Sequence, residues 1–292
     1  MTWVETDSIS FSARHDDADT ATAQRTLDRL EDLRLRLEDR FDEVPGSVAV
    51  VIHTSPAWLS LAHPYLPAAR WSAAPAGRRY LAGWPMATEL HVLNEPWIER
   101  RAAGEDSLAA LRGTAERLYA QLVVAANNPQ LPPSWTPRRF ARYMRWAWLV
   151  EGAGQYFARQ VPLYRAAVIT RLRQGGPPSF PPGRRDAVLL GGTVFDLLDR
   201  EVGAEACGRL VARLRKEGPE GNIEFAFGER FRTVEEAWRE YLRDLAGRPI
   251  EGVTPAGPDG ELEDGELEVE GVEAEADEGG DAYGDEDAEE QL

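Results

Sequence analysis

Two glutamates, Glu116 and Glu151, stand on successive predicted helices, and Glu151, after Trp146-Ala-Trp-Leu-Val and before a run of small residues, sits where partial burial is expected and a carboxylate needs a partner. Two carboxylates on facing helices suit acid and base roles in glycoside hydrolysis, but nothing else in the sequence looks like a sugar-binding enzyme. Glu116 also lies four residues after Arg112, so it equally reads as half of an exposed helical ion pair. Tyr119, beside the Leu111, Leu118 and Leu122 stripe, reads as core rather than as a ligand. The four histidines are His15, His53, His63 and His91, and none stands three or four residues from another, so they build no helical zinc pair. His53, His63 and His91 remain alternative donors for a hydrolase that recruits a metal in some other way. Cys207 is the only cysteine; it forms no intramolecular disulfide, and its helical setting predicts a buried, inert thiol. The chain has no phosphate loop, no Gly-x-Gly-x-x-Gly after a strand and no serine elbow with an assignable base.

The elements that must position these residues follow from periodicity. Residues 7–13 alternate with period two and put Ile9, Phe11 and Ala13 on one face of a strand. From Asp19 or Thr20, Ala23, Leu27, Leu30, Leu33, Leu37 and Phe41 recur at helical intervals until Pro45-Gly46. The β-branched run 47–53 predicts a central strand, followed by a short helix through Leu66. Residues 79–82 and 89–93 are weaker strand candidates. Leu108, Leu111, Ala115, Leu118, Leu122 and Ala126 form one stripe, predicting a single helix over 107–126 that carries Glu116. Four prolines between 127 and 137 break it, and a second helix from about Arg138 to Arg159 carries Glu151. Further helices are predicted over 189–217, broken near Gly203, and over 234–245. The expectation is an α+β fold, with a small mixed sheet and helices in residues 1–104 and a helical half in 105–249.

Charge divides the chain elsewhere. Of 50 acidic residues, 18 fall from Glu251 to Leu292, where no basic residue occurs, so all of the net charge of −17 lies in that segment. The 33 basic and 32 acidic residues before it nearly cancel. A near-neutral body with an acidic tail offers little attraction to phosphate, which argues against nucleic acid and reads the tryptophans Trp135, Trp146 and Trp148 as core. The Gly, Glu, Asp and Ala composition of 250–292 predicts disorder and, as one function, an acidic-tail interaction with a basic protein or peptide. The N-terminus lacks a basic and apolar leader, and no apolar run approaches the roughly 20 residues that span a bilayer. The expectation is a cytoplasmic protein with no membrane association.

The segment Trp148-Leu-Val-Glu-Gly-Ala-Gly-Gln-Tyr-Phe157 resembles the one that supplies the third zinc ligand in gluzincin metallopeptidases, especially the peptidase-MA-like group. The run Leu90-His-Val-Leu before the 107–126 helix, and Gly191–Gly203 and Val234–Leu242 after it, extend the resemblance over most of residues 3–246. In that family a His-Glu-x-x-His helix supplies two imidazoles one turn apart and a glutamate that polarises the bound water. The best register here is Ala115-Glu116-Arg-Leu-Tyr119, with neither histidine present. The resemblance therefore implies a zincin-like helical half in which Glu116 is a vestigial catalytic glutamate. It places Ala115, Tyr119, Glu151, Trp148 and Tyr156 in the former cleft, with no metal and no cofactor. An arginine, Arg112, Arg142 or Arg145, is expected in the space of the lost cation, neutralising Glu116 and Glu151. The implied function is a catalytically inactive peptidase-like protein kept for binding or regulation, the alternative being a hydrolase that uses Glu116 and Glu151 without metal or uses unusual metal ligands.

Overall fold

A strand forms at Trp3–Asp7 (β1) and turns back into Phe11–Asp16 (β2), in which Phe11, Ala13 and His15 point into the protein. The computed structural model describes residues 2–133, 136–174 and 176–247. The predicted acidic tail at 250–292 lies outside them, as does Trp135. The alternation at Phe11 and Ala13 is real, but Ile9 sits exposed in the turn rather than on the strand face.

Helix α1 (Thr20–Glu38) buries Ala23, Leu27, Leu30, Leu33 and Leu37, the stripe its periodicity demands. It leads into β3 (Val48–His53), buried along its whole length as a central strand must be. Two short helices, α2 (Pro56–Ala62) and α3 (Tyr65–Ser72), and the single turn α4 (Pro75–Arg78) connect to β4 (Gly83–Pro85) and β5 (Glu89–Leu93). The strand expected at 79–82 thus forms slightly later, at 83–85. The sheet order is β1-β2-β3-β5-β4, with β2, β3 and β5 parallel and the two outer strands antiparallel.

The remaining helices are α5 (Glu95–Arg101), α6 (Glu105–Arg112), α7 (Thr114–Asn127), α8 (Pro137–Phe157), α9 (Arg165–Gln174), α10 (Ala187–Glu201), α11 (Ala204–Ala212), α12 (Pro219–Phe227) and α13 (Phe231–Gly247). The single helix expected over 107–126 is broken between α6 and α7 at Gly113. There Gln160 donates to the Gly113 carbonyl at 2.5 Å, and its amide fills the space a β-carbon would take. Helix α7 is enclosed: every residue from Thr114 to Ala125 is buried. Helix α8 bends at Trp146 (φ −111°, ψ 17°).

Two glycines of the Glu-Gly-Ala-Gly run set how closely these helices approach. A β-carbon on Gly152 would come within 2.5 Å of the Gly191 backbone of α10, and one on Gly154 within 2.9 Å of the Arg117 carbonyl of α7. The small residues after Glu151 therefore seat α8 against α7 on one side and α10 on the other. One hydrophobic core runs through both halves, from Phe11 and Leu27 to Trp238 and Leu242. No helix among the described residues is long and apolar enough to cross a membrane.

Candidate functional site

Helix α7 turns about 100° per residue, so Arg117 and Gln121 share a face one turn apart, while Ala115 lies roughly 200° round from Arg117. The Arg117 and Gln121 face meets α8 at Glu151. Arg117 Nη1 donates to Glu151 Oε2 at 2.6 Å, and Gln121 Nε2 donates to the same oxygen at 3.2 Å. Tyr143 Oη donates to Oε1 at 2.7 Å, and Arg117 Nη2 donates to the Tyr80 carbonyl at 3.0 Å. The two charged side chains are 1% and 3% exposed, so the pair is sealed from water. A carboxylate at this depth is tolerable only with a counter-charge and with its lone pairs occupied, and here both oxygens accept hydrogen bonds. Burial, followed by the Glu151 charge, pushes the Tyr143 phenol well above its ordinary range, which keeps it protonated and a donor.

This geometry corrects the sequence register. The residues one turn apart that face Glu151 are Arg117 and Gln121, not Ala115 and Tyr119. Tyr119 instead donates to the Pro45 carbonyl at 2.7 Å and meets the Phe11 ring edge-on at 4.9 Å, the core role its flanking leucines also allowed. Glu116 is buried and pairs with Arg29 of α1 at 2.5 Å rather than with Arg112, so it is neither an exposed helical pair nor a neighbour of Glu151. Its second oxygen, Oε2, has no partner, and burial pushes its carboxyl above the usual range in spite of Arg29.

The three expected arginines are engaged elsewhere. Arg112 pairs with Glu95 and Glu99, Arg142 donates to the Gln130 carbonyl at 3.1 Å, and Arg145 lies against Gly218. An arginine does neutralise each glutamate, but the two are Arg117 and Arg29, which the spacing argument did not select. Trp148 packs in the core beside Trp146, and Tyr156 stacks on Phe195 at 5.7 Å between ring centres, so both are packing residues. Ala115 and Arg112 do line a cavity of about 370 Å³, with Arg25, Arg29 and Glu95, between α1 and the ends of β3 and β5. Neither Glu116 nor Glu151 lines it. Cys207 is buried as expected, and burial pushes its thiol up to about 12.

A second cluster forms where the sequence showed only scattered histidines. In the parallel β3–β5 ladder Val51 stands opposite His91 and His53 opposite Leu93, so alternation puts His53 and His91 on the same face. Helix α2 packs against both strands and ends at His63. His53 Nε2 lies 3.0 Å from His91 Nδ1, and the His63 and His91 ring centres are 4.0 Å apart. One ring nitrogen from each of the three lies within 4.8 Å of the others. His91 Nε2 contacts Glu89 Oε2 at 3.3 Å, whereas His63 Nε2 is buried with no hydrogen-bond partner. Burial, then the neighbouring imidazoles, push His63 down to about 4; burial, then His53 and Arg14, do the same for His91. Both rings are therefore neutral at pH 7 and carry a lone pair. Helical spacing excludes a zinc pair on one helix, and the sheet register instead brings together the three histidines that the sequence left as alternative donors.

No protein-family model, no curated protein and no solved structure matches this chain. The donors around Glu151 do not suit a gluzincin zinc ion. A guanidinium supplies no lone pair, Gln121 turns its amide N–H₂ toward the carboxylate, and the position after Arg117 is Leu118, with no base to polarise water.

Proposed function

We propose that this protein is a catalytically inactive relative of the gluzincin metallopeptidases that acts by binding. The observation that carries the reading is the Arg117 guanidinium seated on the Glu151 carboxylate, with Gln121 one turn further along α7. In a working peptidase of that class these two helix positions hold imidazoles, and the carboxylate completes a metal site. Here the same three positions form a closed ion pair that stabilises the packing of α7 on α8. The body so held offers the cavity beside Ala115 and Arg112 as a place for a ligand. The 18 acidic residues from Glu251 onward add negative charge suited to a basic partner, whose binding weakens as salt rises.

The test is to rebuild the site. Arg117→His together with Gln121→His places two imidazoles at i and i+4 facing Glu151. The double variant should bind one more equivalent of zinc than the unaltered protein and lose it again on Glu151→Gln. The unaltered protein should cleave no peptide in a diverse library. Peptide cleavage that Glu151→Gln abolishes, or a double variant that gains no zinc while remaining folded, overturns the reading.

A further inference from the structure

We propose that His53, His63 and His91 form a binding site for a divalent transition-metal ion, with zinc(II) the ion this donor set fits best. The site lies on the sheet beneath α2 and shares no residue with the Arg117–Glu151 pair, so the proposal does not rest on the peptidase-like reading.

Three observations carry it. First, the donors converge: one nitrogen of each imidazole lies within 4.8 Å of the other two, and His53 Nε2 and His91 Nδ1 are already 3.0 Å apart. Two nitrogens bound to one tetrahedral zinc, each at 2.0–2.1 Å, stand about 3.3 Å from each other. Small ring rotations at His63, the residue that ends a short helix, close the remaining gap. Second, the protein leaves one nitrogen of the cluster unsatisfied, while His53 Nε2 and His91 Nδ1 share a hydrogen bond in the absence of an ion. His63 is 95% buried, and its Nε2, a strong ligand atom, is among the buried side-chain atoms that have no hydrogen-bond partner. Third, the outer contacts are those of a metal-bound imidazole. With His91 Nδ1 turned to the ion, its Nε2–H donates to Glu89 Oε2, the carboxylate–histidine arrangement that fixes the tautomer and strengthens the ligand.

The surrounding charge is compatible with a cation. Arg14 is the nearby positive group, and its guanidinium is held on the other oxygen of Glu89 at 3.3 Å. Three imidazole donors favour zinc, copper or nickel over magnesium or calcium, which prefer oxygen donors. Among these, zinc accepts a compact three-histidine site with water in a fourth position.

The experiment uses the untagged full-length protein, stripped with chelator and titrated with zinc chloride by calorimetry. Excess magnesium is present, so that the carboxylates after Glu251 do not report as sites. One equivalent of zinc should bind and raise the melting temperature. Glu89→Gln should weaken binding by about 10–100-fold, and His63→Ala should abolish the one-equivalent step while the metal-free protein keeps its helical circular dichroism. Cobalt(II) in the unaltered protein should give the strong visible bands of tetrahedral nitrogen coordination. This readout stands even where a His91→Ala variant fails to fold. No zinc bound at one equivalent, binding untouched by His63→Ala, or a weak octahedral cobalt spectrum overturns the proposal.

Discussion

In the Arg117–Glu151 pair both carboxylate oxygens and the buried charge are matched and only Arg117 Nε lacks a partner, whereas in the three-histidine cluster the atom without a partner is a potential ligand nitrogen, His63 Nε2. Around Glu151 every carboxylate oxygen accepts a hydrogen bond from the protein, and the buried charge is matched by a buried charge. Around His63 a ring nitrogen faces no donor and no acceptor, and the neighbouring imidazoles repel a proton rather than share one more. A closed network stabilises packing and resists exchange; an open set of lone pairs holds the capacity to bind. Of the residues that resemble a metal site by sequence, only Glu151 lies in the closed network, and histidines with no such pattern form the open cluster.

The contrast breaks most sharply at Arg117. Arg117→Met strands the Glu151 charge in the core and should cost about 3–5 kcal/mol in denaturant unfolding. Adding Glu151→Leu should recover most of that loss, because an apolar pair carries no desolvation penalty. A single substitution costing under about 1 kcal/mol would mean that the pair is solvated and the comparison fails.

Removing one donor tests closure more gently. Tyr143→Phe leaves Glu151 Oε1 without its hydrogen bond and should cost about 1.5–3 kcal/mol, the range for bonds to charged groups, by the same measurement. Gly152→Ala probes what positions the network, since its β-carbon would press on the Gly191 backbone of α10. Overpacking of this kind costs about 1–3 kcal/mol and should lower the melting temperature without altering charge.

The smallest effect is expected at the open cluster. His63→Leu in the metal-free protein removes a buried nitrogen that has no partner, so stability should change by less than about 1 kcal/mol or rise. A loss as large as that for Tyr143→Phe would show that His63 already makes a bond worth keeping. The same substitution should remove the stabilisation by zinc, which separates the cost of the fold from the benefit of the ion.

Much of the architecture was legible in the chain because it depends on local period. The α1 stripe, the apolar run of β3 and the acidic composition after Glu251 each follow from residue type and spacing. Glu151 was legible as a buried carboxylate because apolar residues precede it and small ones follow. Its partner was not. The stripe Leu111, Ala115, Leu118, Leu122 suggested a helix with one apolar face and solvent behind it, but α7 is buried all round, so Arg117 and Gln121 point into a second interface that periodicity hides. The break at Gly113 was hidden for a related reason, since it depends on Gln160 reaching back from beyond α8.

The sequence by itself determined an α+β body, the elements with a single apolar face, and the segregation of negative charge to its end, because these arise from interactions between near neighbours along the chain. Tertiary structure alone decided which charge meets Glu151 and which histidines meet one another. Arg117 reaches Glu151 because Gly154 lets α8 approach α7. His53, His63 and His91 converge because β3 and β5 pair in one register and α2 ends above them. Both meetings join residues distant in sequence, and their partners are fixed by the packing of whole elements rather than by any local pattern of residues.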